Sequence, residues 1–239
     1  MAKNSKPVPK GHLLTKSASP VKEDIKNNSG TTVPYPFWIL VLIAVVVYLP
    51  TLWMGFTELD DSIFIKEFSR YNSDLSNLFA SFHRGLFDAV KDPYYRPLFL
   101  DSIILNFHLF GQDILGYHLV NIGFHALAVG LLYTLLMSVS IRPVQAFVLS
   151  LIFAVHPVLC QAVAWIPGRN DTMLAIFTFA FLIKSVKYAQ NGKLQDLLIS
   201  FIALILAYFT KETAIFVAPV AWVILVLYLG MNWRGKKIV

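Results

Sequence analysis

The stretch PFWILVLIAVVVYLPTLWM, Pro36 to Met54, decides the fold. It carries no charge and approaches the roughly 20 apolar residues that a helix needs to cross a hydrocarbon core. Apolar side chains face every direction around it, so a half-buried surface helix is excluded. Trp38, Tyr48 and Trp53 stand where interface anchors belong. This is the first transmembrane helix. Upstream, residues 1–34 are rich in Lys, Ser, Asn and Pro and show no apolar period, which predicts a disordered cytoplasmic tail. A secretory leader is not expected, because the first apolar segment lies behind that tail and exceeds the length of a leader's apolar core.

Composition extends the reading to the whole chain. Of 239 residues, 56% are hydrophobic and 14% charged, too few charges for a soluble domain of this size. The formal charge of +6 resides in the N-terminal tail, short loops and the C-terminus, which is a topology signal and argues against a nucleic-acid partner. Cys160 is the single cysteine, so an internal disulfide framework and a cysteine-rich metal site are excluded. Further apolar segments follow at 98–110, 117–139, 143–155, 173–186, 194–209 and 214–229. The predicted fold class is an all-α polytopic membrane protein with about seven membrane segments. Its expected limits are 35–232, followed by a basic cytoplasmic tail over 233–239. No internal repeat is visible.

Between the first two segments the pattern changes. Phe64, Phe68, Tyr71, Leu75, Leu78, Phe82 and Leu86 recur at steps of three and four. This predicts amphipathic helix lying in the interface over 63–90, broken near Asn72–Asp74, where Ser73 or Asp74 caps a second piece. The positive-inside rule places the N-terminus, the 184–193 loop and the C-terminus in the cytoplasm. The external loop over 55–96, the PGRND turn (167–171) and the TKET turn (210–213) then share the periplasmic or lumenal side. Arg142 to Ile166 must begin and end on that side, as two short or re-entrant helices.

Ionisable groups at a bilayer are costly and mark a site or a pairing. In GFTELDDSIFI (55–65), Asp60 and Asp61 point about 100° apart on a helix, so two neighbours rarely share one task. One could serve as general base while the other holds a cation or orients the loop. Asp61 is equally readable as the cap of a helix beginning at Ser62. Arg96, before Pro97, suits a phosphate because its planar fork offers two parallel donors, and suits a lipid headgroup for the same reason. Asp101 and His108 share a face of the next helix, with Asn106 nearby. His118, Asn121 and His125 form a polar stripe facing the bundle interior. Interhelical hydrogen bonding accounts for it better than a metal, whose helical ligand pair needs closer spacing. His156 precedes Pro157. Arg169 follows Pro167 and Gly168, with Asp171 expected to cap the next helix. Lys211 and Glu212 are turn residues, or they put an ammonium and a carboxylate at the mouth of one cavity.

The series ELDD, YYRPLFL, GYHLVNIGFHALA, FAVHPVLCQAVAWIPGRND and LAYFTKETAI, in this order and spacing, resembles the membrane region of the C-type glycosyltransferases (GT-C fold). The similarity is greatest to the transmembrane and TPR-containing O-mannosyltransferases and their bacterial relatives, and it runs from about Phe37 to Leu229. Each motif alone is short; five in register are specific. The resemblance implies a GT-C bundle in the bacterial inner membrane or the endoplasmic-reticulum membrane, with a carboxylate-bearing first external loop. It implies a polyprenyl-phosphate sugar donor and a protein or glycan acceptor, with a partner subunit as a further option. By position, Asp60 and Asp61 take the place of the family's acidic pair, one as base or as ligand to a divalent cation, the only cofactor in question. Arg96, Arg169 and Lys211 fall where cations neutralise the donor phosphate. His156 and Glu212 match other motif positions. Gln161 stands where the family usually carries Glu, and the relatives have further helices. A non-catalytic or partner-dependent protein that binds lipid-phosphate is therefore the alternative. A transporter is the third class, and it lacks the repeated half-helices of that class.

Overall fold

The structure, a computed structural model, describes residues 35–57, 60–87 and 92–236. The tail expected over 1–34, Glu58, the end of the amphipathic stretch at 88–90 and the last three residues of the basic tail lie outside the described residues. Helix and turn account for all regular structure among those described; they include no strand.

Helix α1 spans Pro36–Tyr48 and runs on as a 3-10 turn, Leu49–Trp53. Proline opens both, since its fixed φ suits a first turn that needs no N–H partner. After a segment of short turns come α2 (Pro97–Phe110), α3 (Ile114–Ser138), α4 (Pro143–Val155), the short α5 (Cys160–Ala164), α6 (Arg169–Asn191), α7 (Leu194–Thr210) and α8 (Val217–Lys236). Among the described residues three helices are long and apolar enough to cross a membrane: Pro36–Trp53, Ile114–Ser138 and Ile166–Asn191. A fourth follows if Pro143–Val155 and Pro157–Ala164, bent by 48°, count as one broken span. That break lies inside the 142–166 segment read as two short helices. Pro157 causes it, because proline cannot continue the α4 hydrogen-bond ladder.

The polar residues turn inward and large apolar ones outward. Asn121, His125 and Ser150 are buried, whereas Trp38, Leu42, Val148, Phe201 and Trp222 are exposed. Water would oppose that distribution and lipid tails would not, since Leu is no less apolar than they are. Helix α3 is the central post: α1, α4 and α6 pack against it, and α7 packs most extensively on α6. Close approach requires glycine where the chain enters α6: a Cβ on Gly168 would lie 2.3 Å from the Gln161 carbonyl oxygen, which is backbone and cannot swing aside.

The segment between α1 and α2 differs from the expected pair of amphipathic helices. It is a chain of short turns: Asp60–Ser62, a π-helical turn Ile63–Glu67, Ser69–Asn72, Asn77–Ala80 and a 3-10 turn Ser81–His83. Polar side chains here capture backbone groups that a longer helix would need. Asn72 donates to the Phe64 carbonyl at 2.7 Å, and Asn77 donates to the Tyr71 carbonyl at 2.7 Å. The break does fall near Asp74, whose carboxylate accepts from the Ser76 N–H at 2.9 Å. Phe64 and Ile65 tie the segment down by packing with Phe99, Leu100, Ile103, Tyr117 and Ile166. This core joins the segment to α2, α3 and the entry of α6.

Candidate functional site

The two aspartates occupy different environments. Asp61 is buried, and its Oδ2 accepts from the Thr57 N–H and the Thr57 hydroxyl, both at 2.8 Å. It therefore ties the chain to the residues before it and does not cap a helix beginning at Ser62; the helical turn already includes both aspartates. Its Oδ1 is buried with no hydrogen-bond partner among the described residues. Asp60 is half-buried and makes no hydrogen bond or ion pair there. One carboxylate is anchored and its neighbour is open.

The short turn Asp60–Ser62 packs on Ile166–Gly168, the 3-10 turn that feeds α6. Next in sequence is Arg169, among the largest fully buried side chains of the described residues. Its guanidinium donates to Asn106 Oδ1 at 2.8 Å, to the Tyr117 carbonyl at 3.1 Å and, more weakly, to the Ser102 carbonyl at 3.4 Å. It also lies over the Tyr117 ring, 5.6 Å from the centroid. A cation at the positive end of a helix dipole needs compensation. Asn106 and the Tyr117 and Ser102 carbonyls supply it. Asp61 and His118 are buried as Arg169 is, and the turn that carries Asp61 packs against the entry to α6.

The rest of the α3 stripe bonds to backbone freed by the turns around α5. Asn121 Nδ2 donates to the carbonyls of Val163 (3.0 Å) and Trp165 (3.2 Å), with Ile166 more distant. His125 Nε2 pairs with the Ala154 carbonyl at 3.0 Å. Asn121 and His125 thus make interhelical bonds of the kind the stripe predicts, whereas the buried ring nitrogens of His118 have no hydrogen-bond partner among the described residues. Among the described residues no group of three or more His, Cys, Asp or Glu could hold a metal ion.

A second cluster is more open. Arg96 closes on Glu212 with both carboxylate oxygens engaged: Nε lies 3.0 Å and Nη2 2.9 Å from Oε2, and Nε lies 3.2 Å from Oε1. The Tyr95 N–H donates to the same Oε1 at 3.0 Å. Burial pushes the Glu212 carboxyl up; the hydrogen bonds and charge of Arg96, with the Tyr95 N–H, outweigh it and hold the carboxyl below its ordinary value. Lys211 pairs with Asp171. Asp171, expected to cap α6, sits inside its first turn, and Gly168 takes the cap position without a side-chain bond. The chain folds this way locally because Lys211 is fully extended between α7 and the turn Glu212–Phe216, so successive side chains diverge toward α6 and α2.

Asp101 and His156 stand apart from both clusters. Asp101 accepts from the Ser81 hydroxyl at 2.7 Å, at the edge of an apolar cavity of about 580 Å³ that also touches Ser102, Asn106, Phe177 and Leu206. His156 is exposed, and its Nδ1 caps the turn at Pro157 by accepting from Val158 N–H at 3.2 Å. Thr57, Asn106 and the Tyr95 backbone N–H carry contacts that sequence reasoning did not assign. Thr57 sits four residues before Asp61, a spacing that could have flagged it. The other two leave no such signal.

The family model described as dolichyl-phosphate-mannose-protein mannosyltransferase matches residues 96–238. A protein O-mannosyl-transferase of Caenorhabditis elegans is 30% identical over 216 residues, covering 88% of this chain and 31% of the relative. Protein O-mannosyl-transferase TMTC1 of Mus musculus is 42% identical over 101 residues, covering 41% of this chain and 11% of its own. Tmtc1 of Drosophila melanogaster is 31% identical over 183 residues, covering 72% and 20%. The chain thus spans less than a third of the length of these curated relatives. No solved structure matches it.

Proposed function

We propose, because this chain belongs to the dolichyl-phosphate-mannose-protein mannosyltransferase family, that it transfers mannose from a polyprenyl-phosphate donor to a hydroxyl of a protein or glycan acceptor. Membership makes it an integral membrane protein of the glycosyltransferase class. The donor, the acceptor and the periplasmic or lumenal face are our reading. So are the arrangement of about seven membrane segments in a GT-C bundle, with the 55–96 loop lying in the interface, and a cytoplasmic N-terminus.

The contrast between Asp60 and Asp61 supports the reading most. A base must be open to the acceptor and held by a rigid neighbour. Asp60 is half-buried and unpaired, and Asp61 is pinned to Thr57. Asp60 takes the proton of the acceptor hydroxyl as its oxygen bonds to the anomeric carbon. The bond from that carbon to the phosphate oxygen breaks, and polyprenyl phosphate leaves with the electron pair. Arg96 and Lys211 stabilise the charge gathering on the leaving phosphate, more in the transition state than before it. Arg169 positions these parts from within: it spans α6, α2 and α3. Thiolate, imidazole and a resident metal have no assigned part.

The test is transfer from radiolabelled dolichyl-phosphate mannose by the chain in lipid nanodiscs, with its cognate membrane extract as acceptor source. Asp60→Asn should abolish transfer, leave donor binding within twofold and leave thermal stability unchanged. Donor binding without turnover in the native chain would favour the non-catalytic lipid-phosphate binder, and transfer surviving Asp60→Asn would remove Asp60 as base.

A further inference from the structure

We infer that the Glu212 carboxylate is a displaceable occupant of the donor-phosphate site, holding the Arg96 fork and the Tyr95 N–H until a phosphodiester takes its place. This rests on the reading that Arg96 meets the donor phosphate.

The geometry is that of an anion receptor already filled. A guanidinium presenting two N–H groups in parallel, with a peptide N–H beside it, matches the oxygens of a carboxylate or of a phosphodiester. All three donors converge on Glu212 within 2.9–3.2 Å. Glu212 arrives from a turn more than a hundred residues away in sequence, so no local constraint makes it the partner of Arg96.

The two sides of the clasp are unequal. The Arg96 side chain is 14% exposed and that of Glu212 is 37% exposed. Arg96 has a second support that does not need Glu212, the Tyr94 ring 4.9 Å from its guanidinium. The cation is seated and the carboxylate lies on the open side. Lys211 repeats the pattern, its side chain 20% exposed against 48% for Asp171. Each cation of the cluster is therefore covered by a more exposed anion.

Exchange is electrostatically even. A polyprenyl-phosphate sugar is a phosphodiester with one negative charge, and it replaces one carboxylate on the same donors. The released carboxylate turns to water, for which its exposure already prepares it. A closed clasp also keeps the guanidinium from binding ordinary lipid phosphates weakly. Its cost is apparent affinity, which falls by the fraction of molecules already open.

The experiment measures binding of dolichyl-phosphate mannose, a phosphodiester, to the chain in phosphatidylcholine nanodiscs without acceptor, for the wild type, Glu212→Gln and Arg96→Lys. Gln keeps the shape of Glu212 and removes its charge; Lys keeps the charge of Arg96 and removes its fork. We expect Glu212→Gln to tighten binding about fivefold, equivalent to about 1 kcal/mol, and Arg96→Lys to weaken it. Unchanged or weaker binding in Glu212→Gln, with Arg96→Lys still weakened, would overturn the inference and leave Arg96 as the phosphate ligand. No effect of Arg96→Lys would overturn the phosphate reading of Arg96, and the inference with it. If Glu212→Gln fails to fold, Glu212→Asp, which keeps the charge but shortens its reach, must bind more tightly than the wild type for the inference to stand.

Discussion

Replacing Arg169 with Met separates a structural role from a direct ligand role. The side chain is fully buried and donates to Asn106 Oδ1, the Tyr117 carbonyl and, at 3.4 Å, the Ser102 carbonyl. Hydrogen bonds between helices in a bilayer average about 0.6 kcal/mol, and charge-assisted ones are roughly twice as strong. Counting only the two short bonds gives about 2.4 kcal/mol. Leaving Asn106 Oδ1 buried without a donor adds about 1 kcal/mol. Relief of the buried charge works in the opposite direction, because removing it also removes a desolvation cost. The expected net loss is about 2–3 kcal/mol, read from reversible unfolding in mixed micelles. Asn106→Leu in the same chain should then recover about 1 kcal/mol, since its carbonyl no longer needs a partner. Arg169→Met unfolding within about 0.5 kcal/mol of wild type would refute the reasoning. So would a double variant no more stable than Arg169→Met alone.

Asp61→Ala removes both bonds to Thr57 and should cost about 2 kcal/mol by the same unfolding measurement, with Thr57→Ala costing about half as much. Gly168→Ala should cost about 1–3 kcal/mol, because the added Cβ meets backbone at Gln161 that cannot swing aside; a chain as stable as wild type would contradict that contact. The depressed Glu212 carboxyl makes a prediction about acid. A lowered folded pKa contributes stability above the ordinary value of 4.5, lost as pH falls through the folded value. The difference in melting temperature between wild type and Glu212→Gln should accordingly shrink below about pH 4.5. Because Glu212 is more than a third exposed, that difference should correspond to no more than about 1 kcal/mol at neutral pH. A difference that grows on acidification would reverse the assigned sign.

Helix identity was legible wherever a long apolar run carried its own stop. Pro143–Val155 agrees with the segment read from the sequence, because proline opens the helix and the next proline ends it. Helix α6 extends four residues before the expected start and five beyond it, to Gly192, whose φ of 67° suits a glycine cap. The extension was hidden because its polar ends, Arg169 to Thr172 and Lys187 to Asn191, interrupt the apolar run without interrupting the backbone. The segment 60–83 forms shorter helical turns than its pattern predicts, because Asn72 and Asn77 count as polar positions in a pattern, and their bonds to backbone carbonyls do not enter it.

Membrane class and family were decided by the sequence alone, the one by Pro36–Met54 and the later apolar runs, the other by five short motifs in register. Tertiary structure decided which charges are available. Arg96, Arg169 and Lys211 read alike as cations near one face, yet Arg169 is enclosed by α2 and α3 while Arg96 and Lys211 meet Glu212 and Asp171. Asp60 and Asp61 read as a pair, and only the fold makes one an anchor and leaves the other open. The reason is physical. Transfer into lipid depends on the sum of side chains along one segment, so local sequence contains it. Burial and ion pairing depend on which distant segment closes over a side chain, and packing of the whole bundle supplies that.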